Sequence, residues 1–513
     1  MTAAKGEDMA EPGDGGTKPE PTVPDPAADE PTQTAIAYAD PVDPWAAGEA
    51  ASIAAGGQPS YQTPPAGSGG SWPATERERP RPRRRGLLIG GIAAVLAAGV
   101  AAATVLLWPD YPALDFHRVE QVARFAPQVP FTSGFTDVEV LGDRSYFAGV
   151  DTNGDLRVLA ADDRLRWETT AAGRAPSWTA MRVTPTAVVL FSGLDSATST
   201  SRVVALDAAD GRLLWEKRIG YNDDVHVGAE TVLWSDREGL RLTGFGLADG
   251  VERWSEPDED ATTLHPVQSP ADLNGPASTT GRTFAPEFST FVQIDADRTV
   301  TVRDLDTGEA RQTRENVAAT SSDVVAYDGR LFVLEPGTPK RVFEYDLANL
   351  AAEPKTRYTV GSAENIDGLS PCGEQLCLLR TTGYDRATSE IVAVGDTGWT
   401  LAVPETEILV PAGPTGLLAI GDRGTTLVVD RKAVWTLDGG VAARLDATNV
   451  LRFSEEPTIS VGNRVLSGFH LGDKAGEIRE LGEIRDVRSD SCAWNTEIIA
   501  CAAAEDYVVH SFA

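Results

Sequence analysis

Three kinds of apolar pattern follow one another along this chain. Residues 1–75 show no periodicity at all. From Gly86 to Trp108 apolar and small residues run on without a single charge. Beyond residue 110 the pattern changes to short β-type runs, broken by Gly, Asp and Asn. The first pattern predicts a segment that does not pack, the second a membrane-spanning helix, and the third a series of strands.

The middle segment is long enough to span. Twenty-odd residues at about 1.5 Å rise match a hydrocarbon core roughly 30 Å thick. A helix is required there, because lipid offers no partner to backbone amides. Trp108 and Tyr111 fall where interfacial aromatic residues lie, and Pro109 ends the helix. Six arginines between Arg77 and Arg85 precede the span. Positive charge stays in the cytoplasm, so the N-terminus is expected inside and the remainder outside. A cleaved signal peptide fits poorly, since about 85 residues precede a run too long for an h-region. The expected domains are a tail (1–85), a transmembrane helix (86–108) and an extracytoplasmic β domain (109–513).

Charge adds to this picture. The first 75 residues carry 11 acidic residues against Lys5 and Lys18, with 12 prolines. Such a segment buries too little apolar surface to offset its ordering entropy, and reads as disordered. Asp43-Pro44-Trp45 reads as a short docking element or as plain spacer. The whole chain has a formal charge of −31. That excess repels phosphate backbones and argues against nucleic acid as a partner.

The outer runs repeat. Arg202 to Asp207 is followed by Ala208-Ala209-Asp210-Gly211 and then by Arg212-Leu-Leu-Trp215, which reads as strand, tight turn, strand. Leu159 to Trp167 is a second copy, and Gly246 to Trp254 a third. A degenerate copy spans Val302 to Arg311. Looser ones lie at Phe343, at Val392 to Trp399 and at Val434 to Gly440. The spacing of about 40 to 58 residues allows about four short strands per unit. One such unit cannot bury a core; a radial stack can.

The pattern Ala-Leu-Asp-x-x-x-Gly-x-x-x-Trp, clearest from Ala205 to Trp215, resembles the tryptophan-docking repeat of the quinoprotein (PQQ-like) β-propeller family. The resemblance implies an all-β fold of seven or eight four-stranded blades, with eight favoured and 450–490 the weakest stretch. It also implies that Trp167, Trp215, Trp254 and Trp399 pack between blades. The runs Glu497–Cys501 and Asp506–Phe512, with Phe116–Phe125 from the other end, are expected to close the ring. The Ala-, Gly- and Pro-rich composition points to a high-GC, actinobacterial source.

The 4 cysteines all lie in the β domain. An even number beyond a membrane fits disulfides. Pairing Cys372 with Cys377 and Cys492 with Cys501 is the shortest of three connectivities, and would staple outer strands. No Cys-x-x-Cys pair suggests zinc or redox chemistry.

Other candidate chemistry is thin. Asp151-Thr-Asn153-Gly154-Asp155, with Asp162, resembles half of a calcium loop, but its glycine is fourth where an EF-hand needs it sixth. A hairpin turn explains it better. Glu256 to Asp260 is an acidic run in the longest insertion, which extends to about Pro286; it reads as a solvated loop or as a contact for a cation or basic partner. The family's enzymes bind pyrroloquinoline quinone and calcium through adjacent cysteines, carboxylates and a stacking Trp. Adjacent cysteines are missing here, and no catalytic, cofactor-binding or metal residue is assigned. The expected function is a single-pass, membrane-anchored binding or scaffolding module for an extracytoplasmic protein or envelope ligand. It resembles in role the scaffold propellers of envelope assembly machines. The alternatives are a quinoprotein-type oxidoreductase and an envelope sensor or hydrolase.

Overall fold

The β-type runs form eight antiparallel sheets. The computed structural model describes residues 111–513, apart from 259–261, 278–287, 384, 422–423, 456, 459 and 473–477. The tail and the segment 86–108 lie outside the described residues. No helix among the described residues is long and apolar enough to cross a membrane.

Seven sheets have four strands each, taken in chain order. Sheets 1 to 7 cover 131–169, 178–220, 224–257, 263–314, 323–359, 364–402 and 408–438. Sheet 2 shows why the sequence folds this way. Its second strand, Ala187–Ser192, is almost wholly buried, because neighbouring sheets cover both of its faces. A strand covered on both sides reads as a continuous apolar run. The fourth strand, Leu213–Gly220, is largely exposed and buries Trp215. Between the third and fourth strands, the Asp207 carboxylate accepts the Ala209 N–H, and Gly211 takes φ +74°.

The tryptophans join one sheet to the next. Trp167 Nε1 donates to Ala208 O at 3.2 Å, Trp215 to Leu247 O at 2.7 Å and Trp254 to Leu305 O at 2.9 Å. Each indole also lies on the turn glycine of the following sheet. A Cβ at Gly211 would stand 2.6 Å from the Trp167 ring, and one at Gly250 2.6 Å from Trp215. Glycine is therefore needed twice over, for its positive φ and for the close approach.

Sheet 8 departs from the pattern. It has seven strands, and it folds in two about the long strand Arg479–Trp494. One end of that strand pairs with Gly462–His470 and the other with Ile498–Ala503. The bend lies near Asp486, at φ +54°. Leu451, Phe453 and Leu466 of one half pack on Trp494, Ile499 and Val508 of the other. The sheets thus number eight, the count favoured by the repeats, while the packed layers number nine.

Apolar clusters link each sheet to its successor, and the last half of sheet 8 to sheet 1. The ring is closed by strand Glu120–Phe125, which runs antiparallel beside Tyr507–Ser511. Joining the two chain ends covers edges that would otherwise stand open. The all-β propeller expected from the repeats is the architecture present.

Two disulfides, Cys372–Cys377 and Cys492–Cys501, bridge neighbouring strands. Their position corrects the expectation of staples in outer strands. Cys372 ends the first strand of sheet 6 and Cys377 lies in the second. First strands of adjacent sheets approach one another, so this staple sits toward the middle of the ring. Cys492 and Cys501 likewise join the first two strands of the closing layer.

Candidate functional site

The long insertion of sheet 4 runs across the ring. It leaves the first strand, Thr263–Pro266, where other sheets make a short turn. Gln268 N–H donates to Ala326 O, and Asp328 N–H donates back to Gln268 O, which ties the segment to sheet 5. One turn of 3-10 helix follows at Pro270–Leu273, and Asp272 accepts from the Ser269 backbone and hydroxyl. Gly413 N–H of sheet 7 then donates to Leu273 O, and Ala277 N–H donates to Arg444 O of sheet 8. Ala277 ends fully buried between sheets 7 and 8. The segment therefore connects sheets that are not neighbours.

Arg444 holds this crossing in place. It is 1% exposed, in the strand Val441–Arg444. Its Nε donates to Gly275 O at 2.6 Å, its Nη2 to Asp272 O at 2.9 Å, and its Nη1 to Pro411 O. Burial pushes its pKa down to about 10, which leaves it charged at neutral pH. A planar fork of donors suits three carbonyls that converge from different directions. Beneath the crossing lies a cavity of about 390 Å3. His265, Gln268, Ser370, Glu407 and Arg444 supply its polar lining. Burial lowers the His265 pKa, so the ring stays neutral there.

On the same face, the crossing forms one wall of a groove of about 560 Å3. The other walls are the disulfide turn at Cys372–Gln375, the turn at Gly413–Gly416, and Asp430-Arg431. Gly373, at φ +64°, lets the disulfide turn press on sheet 7, for a Cβ would lie 2.2 Å from Pro414 O. Trp399 lies in the groove, half-buried against the cluster between sheets 6 and 7. The chain also reaches the ring on this face. Thr448 Oγ1 donates to Tyr111 O, and Asn449 Nδ2 donates to Pro112 O. Asn449 is fully buried and is held in turn by Asp446.

Residues 113–351 match the family model described as outer membrane protein assembly factor BamB. The match supports the resemblance of these residues to the PQQ-like β-propeller repeat family. No curated protein matches the sequence. Solved structures similar to it include BamB from Moraxella catarrhalis, at 12% identity over 77% of this chain and 98% of that one, with a TM-score of 0.36. A eukaryotic initiation factor matches at 8% identity over 70% and 91%, with a TM-score of 0.49. A europium-containing methanol dehydrogenase matches at 11% over 66% and 85%, with a TM-score of 0.34.

In this PQQ-like ring the calcium-like residues are structural. The Asp151 carboxylate accepts the Asn153 and Asp155 N–H groups and pairs with Arg157 at 2.9 Å. Asp162 lies at the far end of strand Leu156–Ala161, about 20 Å away at some 3.3 Å per residue. The acidic run divides. Asp258 is not solvated: it is 7% exposed and accepts from Ser235, Thr262 and Gln293. Glu259 and Asp260 lie outside the described residues.

The adjacent cysteines through which the family's enzymes bind their quinone have no counterpart among the described residues. Each cysteine is paired within its own hairpin, with no adjacent pair. The guanidinium at the cavity is already engaged by three carbonyls. No three metal-ligating side chains gather among the described residues. The crossing and Arg444 escaped the sequence reading. The one signal was an arginine set among apolar neighbours in Val441-Ala-Ala-Arg444-Leu445.

Proposed function

We propose that the chain is a single-pass membrane protein whose PQQ-like ring is an extracytoplasmic scaffold for another envelope protein. In this reading residues 86–108 span the membrane, and the acidic tail, residues 1–85, stays in the cytoplasm. The observation that carries it is the crossing held by Arg444. A buried cation fixed by three carbonyls holds the crossing rigidly on this face of the ring. Rigid faces favour association, because little ordering remains to be done on binding.

Tyr111 and Pro112 support the same reading. They are held only three or four residues after Trp108, which is about 10 Å of extended chain. Protease added to intact cells tests this arrangement. The ring should be cut while an epitope placed in residues 1–75 stays protected. Loss of the epitope with an intact ring would reverse the topology and end the proposal.

A further inference from the structure

Trp167, Trp215 and Trp254 each rest on the turn between the third and fourth strands of the next sheet. Those turns are long: Asp207 to Gly211 in sheet 2, and Gly246 to Gly250 in sheet 3. Each supplies a free carbonyl for the indole N–H and a glycine beneath the ring. Trp399, on the fourth strand of sheet 6, should rest on sheet 7 in the same way. Sheet 7 lacks the platform. Its third and fourth strands, Gly424–Val429 and Lys432–Asp438, are joined by Asp430-Arg431 alone, with φ of +49° and +70°. A two-residue turn is closed by the ladder itself and leaves no loop carbonyl over the neighbouring sheet.

The consequence is an indole without its dock. Among the described residues nothing accepts from Trp399 Nε1, and the ring lines the groove. Trp435 has no acceptor either, but its ring is 7% exposed and closed off by Phe469 at 4.6 Å. Three exposed carboxylates surround the Trp399 groove: Asp328, Glu374 and Asp430. Arg431 is the opposing charge, with Nη2 on Thr397 Oγ1 at 3.3 Å. Asp328 is shared with Arg330.

We infer that the Trp399 groove binds an extended segment of a partner protein, whose backbone carbonyl takes the indole N–H and whose lysine or arginine lies among Asp328, Glu374 and Asp430. Charge complementarity selects the basic residue, and an indole face adds to the attraction for a cation. The inference rests on the scaffold reading and names the chemistry of its partner.

The test uses the full chain in detergent micelles, labelled with 5-fluorotryptophan. Trp399→Phe assigns the Trp399 fluorine signal, and unchanged signals elsewhere show that this variant is folded. The probes are N-acetyl-Gly-Lys-Gly-amide and N-acetyl-Gly-Glu-Gly-amide. The lysine peptide should move the Trp399 signal saturably, with a midpoint at least about tenfold below that of the glutamate peptide. Asp328→Asn with Glu374→Gln and Asp430→Asn should remove the difference. Replacing Asp430-Arg431 by the five-residue turn of sheet 2 should cover Trp399 and abolish the response. An unmoved signal, or equal midpoints for the two peptides, overturns the inference. If the Trp399→Phe chain still cross-links to its envelope partner as the unaltered chain does, this groove is excluded while the scaffold reading stands.

Discussion

At the scale of single residues, the same amino acid does different work according to what the next sheet offers. Trp254 donates to Leu305 O, stacks near Phe291 and covers Gly308. Trp399 is only half-buried against its cluster. Trp254→Ala should therefore cost about 3–5 kcal/mol, as for a large core aromatic, and Trp399→Ala clearly less. Urea midpoints of the two variants measure this, and equal losses would remove the distinction. Glu139 shows a second contrast. It is buried in sheet 1 and accepts the Val183 N–H of sheet 2 at 2.7 Å. Burial raises its pKa to about 8, against the pull of Arg182. A folded-state pKa above the unfolded one means that the native ring binds the extra proton. The stabilisation is complete below about pH 4.5, and is lost as the pH rises through about 8. Glu139→Gln should flatten stability across that window. A slope unchanged from the parent protein would assign it to other groups.

At the scale of elements, the repeats were legible because each carries local punctuation. Asp207 to Trp215 encodes a turn, a strand and the residue that meets the next sheet. The closing strand was legible for a similar reason, as a β-type run at the far end of the domain. The crossing was not. Residues 267–277 have no periodicity, and their order comes from contacts with residues of sheets 5, 7 and 8, far along the chain. A lone arginine at 444 reads as a surface charge until three carbonyls are found around it. The double sheet 8 was also hidden, because the bend of Arg479–Trp494 falls at Asp486 and not at its one glycine, Gly482. These differences lead to two expectations. Arg444→Met should speed hydrogen exchange at the Ala277 and Gly413 amides by tenfold or more, about 1.4 kcal/mol of lost protection, while strand Leu156–Ala161 stays slow. Arg444→Lys should not restore protection, since an ammonium cannot serve three divergent acceptors. Replacing Cys492 and Cys501 by serine opens a short loop in the closing layer, and should cost about 2–3 kcal/mol. Thermal unfolding under oxidising conditions measures that loss.

At the scale of the whole molecule, stability depends on the seam where the two ends of the domain meet. The seam is the pairing of Glu120–Phe125 with Tyr507–Ser511, reinforced by Arg124 on Asp506 and by Phe116 against Phe512. His510 sits inside it, opposite Gln121 and 6% exposed, and its Nδ1 finds no partner. Burial, with the charge of Arg124 nearby, lowers its pKa to about 4. The folded ring therefore keeps His510 neutral where the unfolded chain would take up a proton. The sign follows: this contribution is whole above about pH 6.5, and is lost as the pH falls through about 4. Glu139 acts in the opposite direction, so the two groups bound a range of greatest stability between them. Acid should open the seam before the other interfaces, because its partner strand is held to the ring along one edge alone. Hydrogen exchange of residues 120–125 at pH 4.5 and pH 7 tests this. Faster opening at pH 4.5, absent in His510→Phe, is the expected outcome. An acid response that survives His510→Phe would move the weak point of the ring elsewhere.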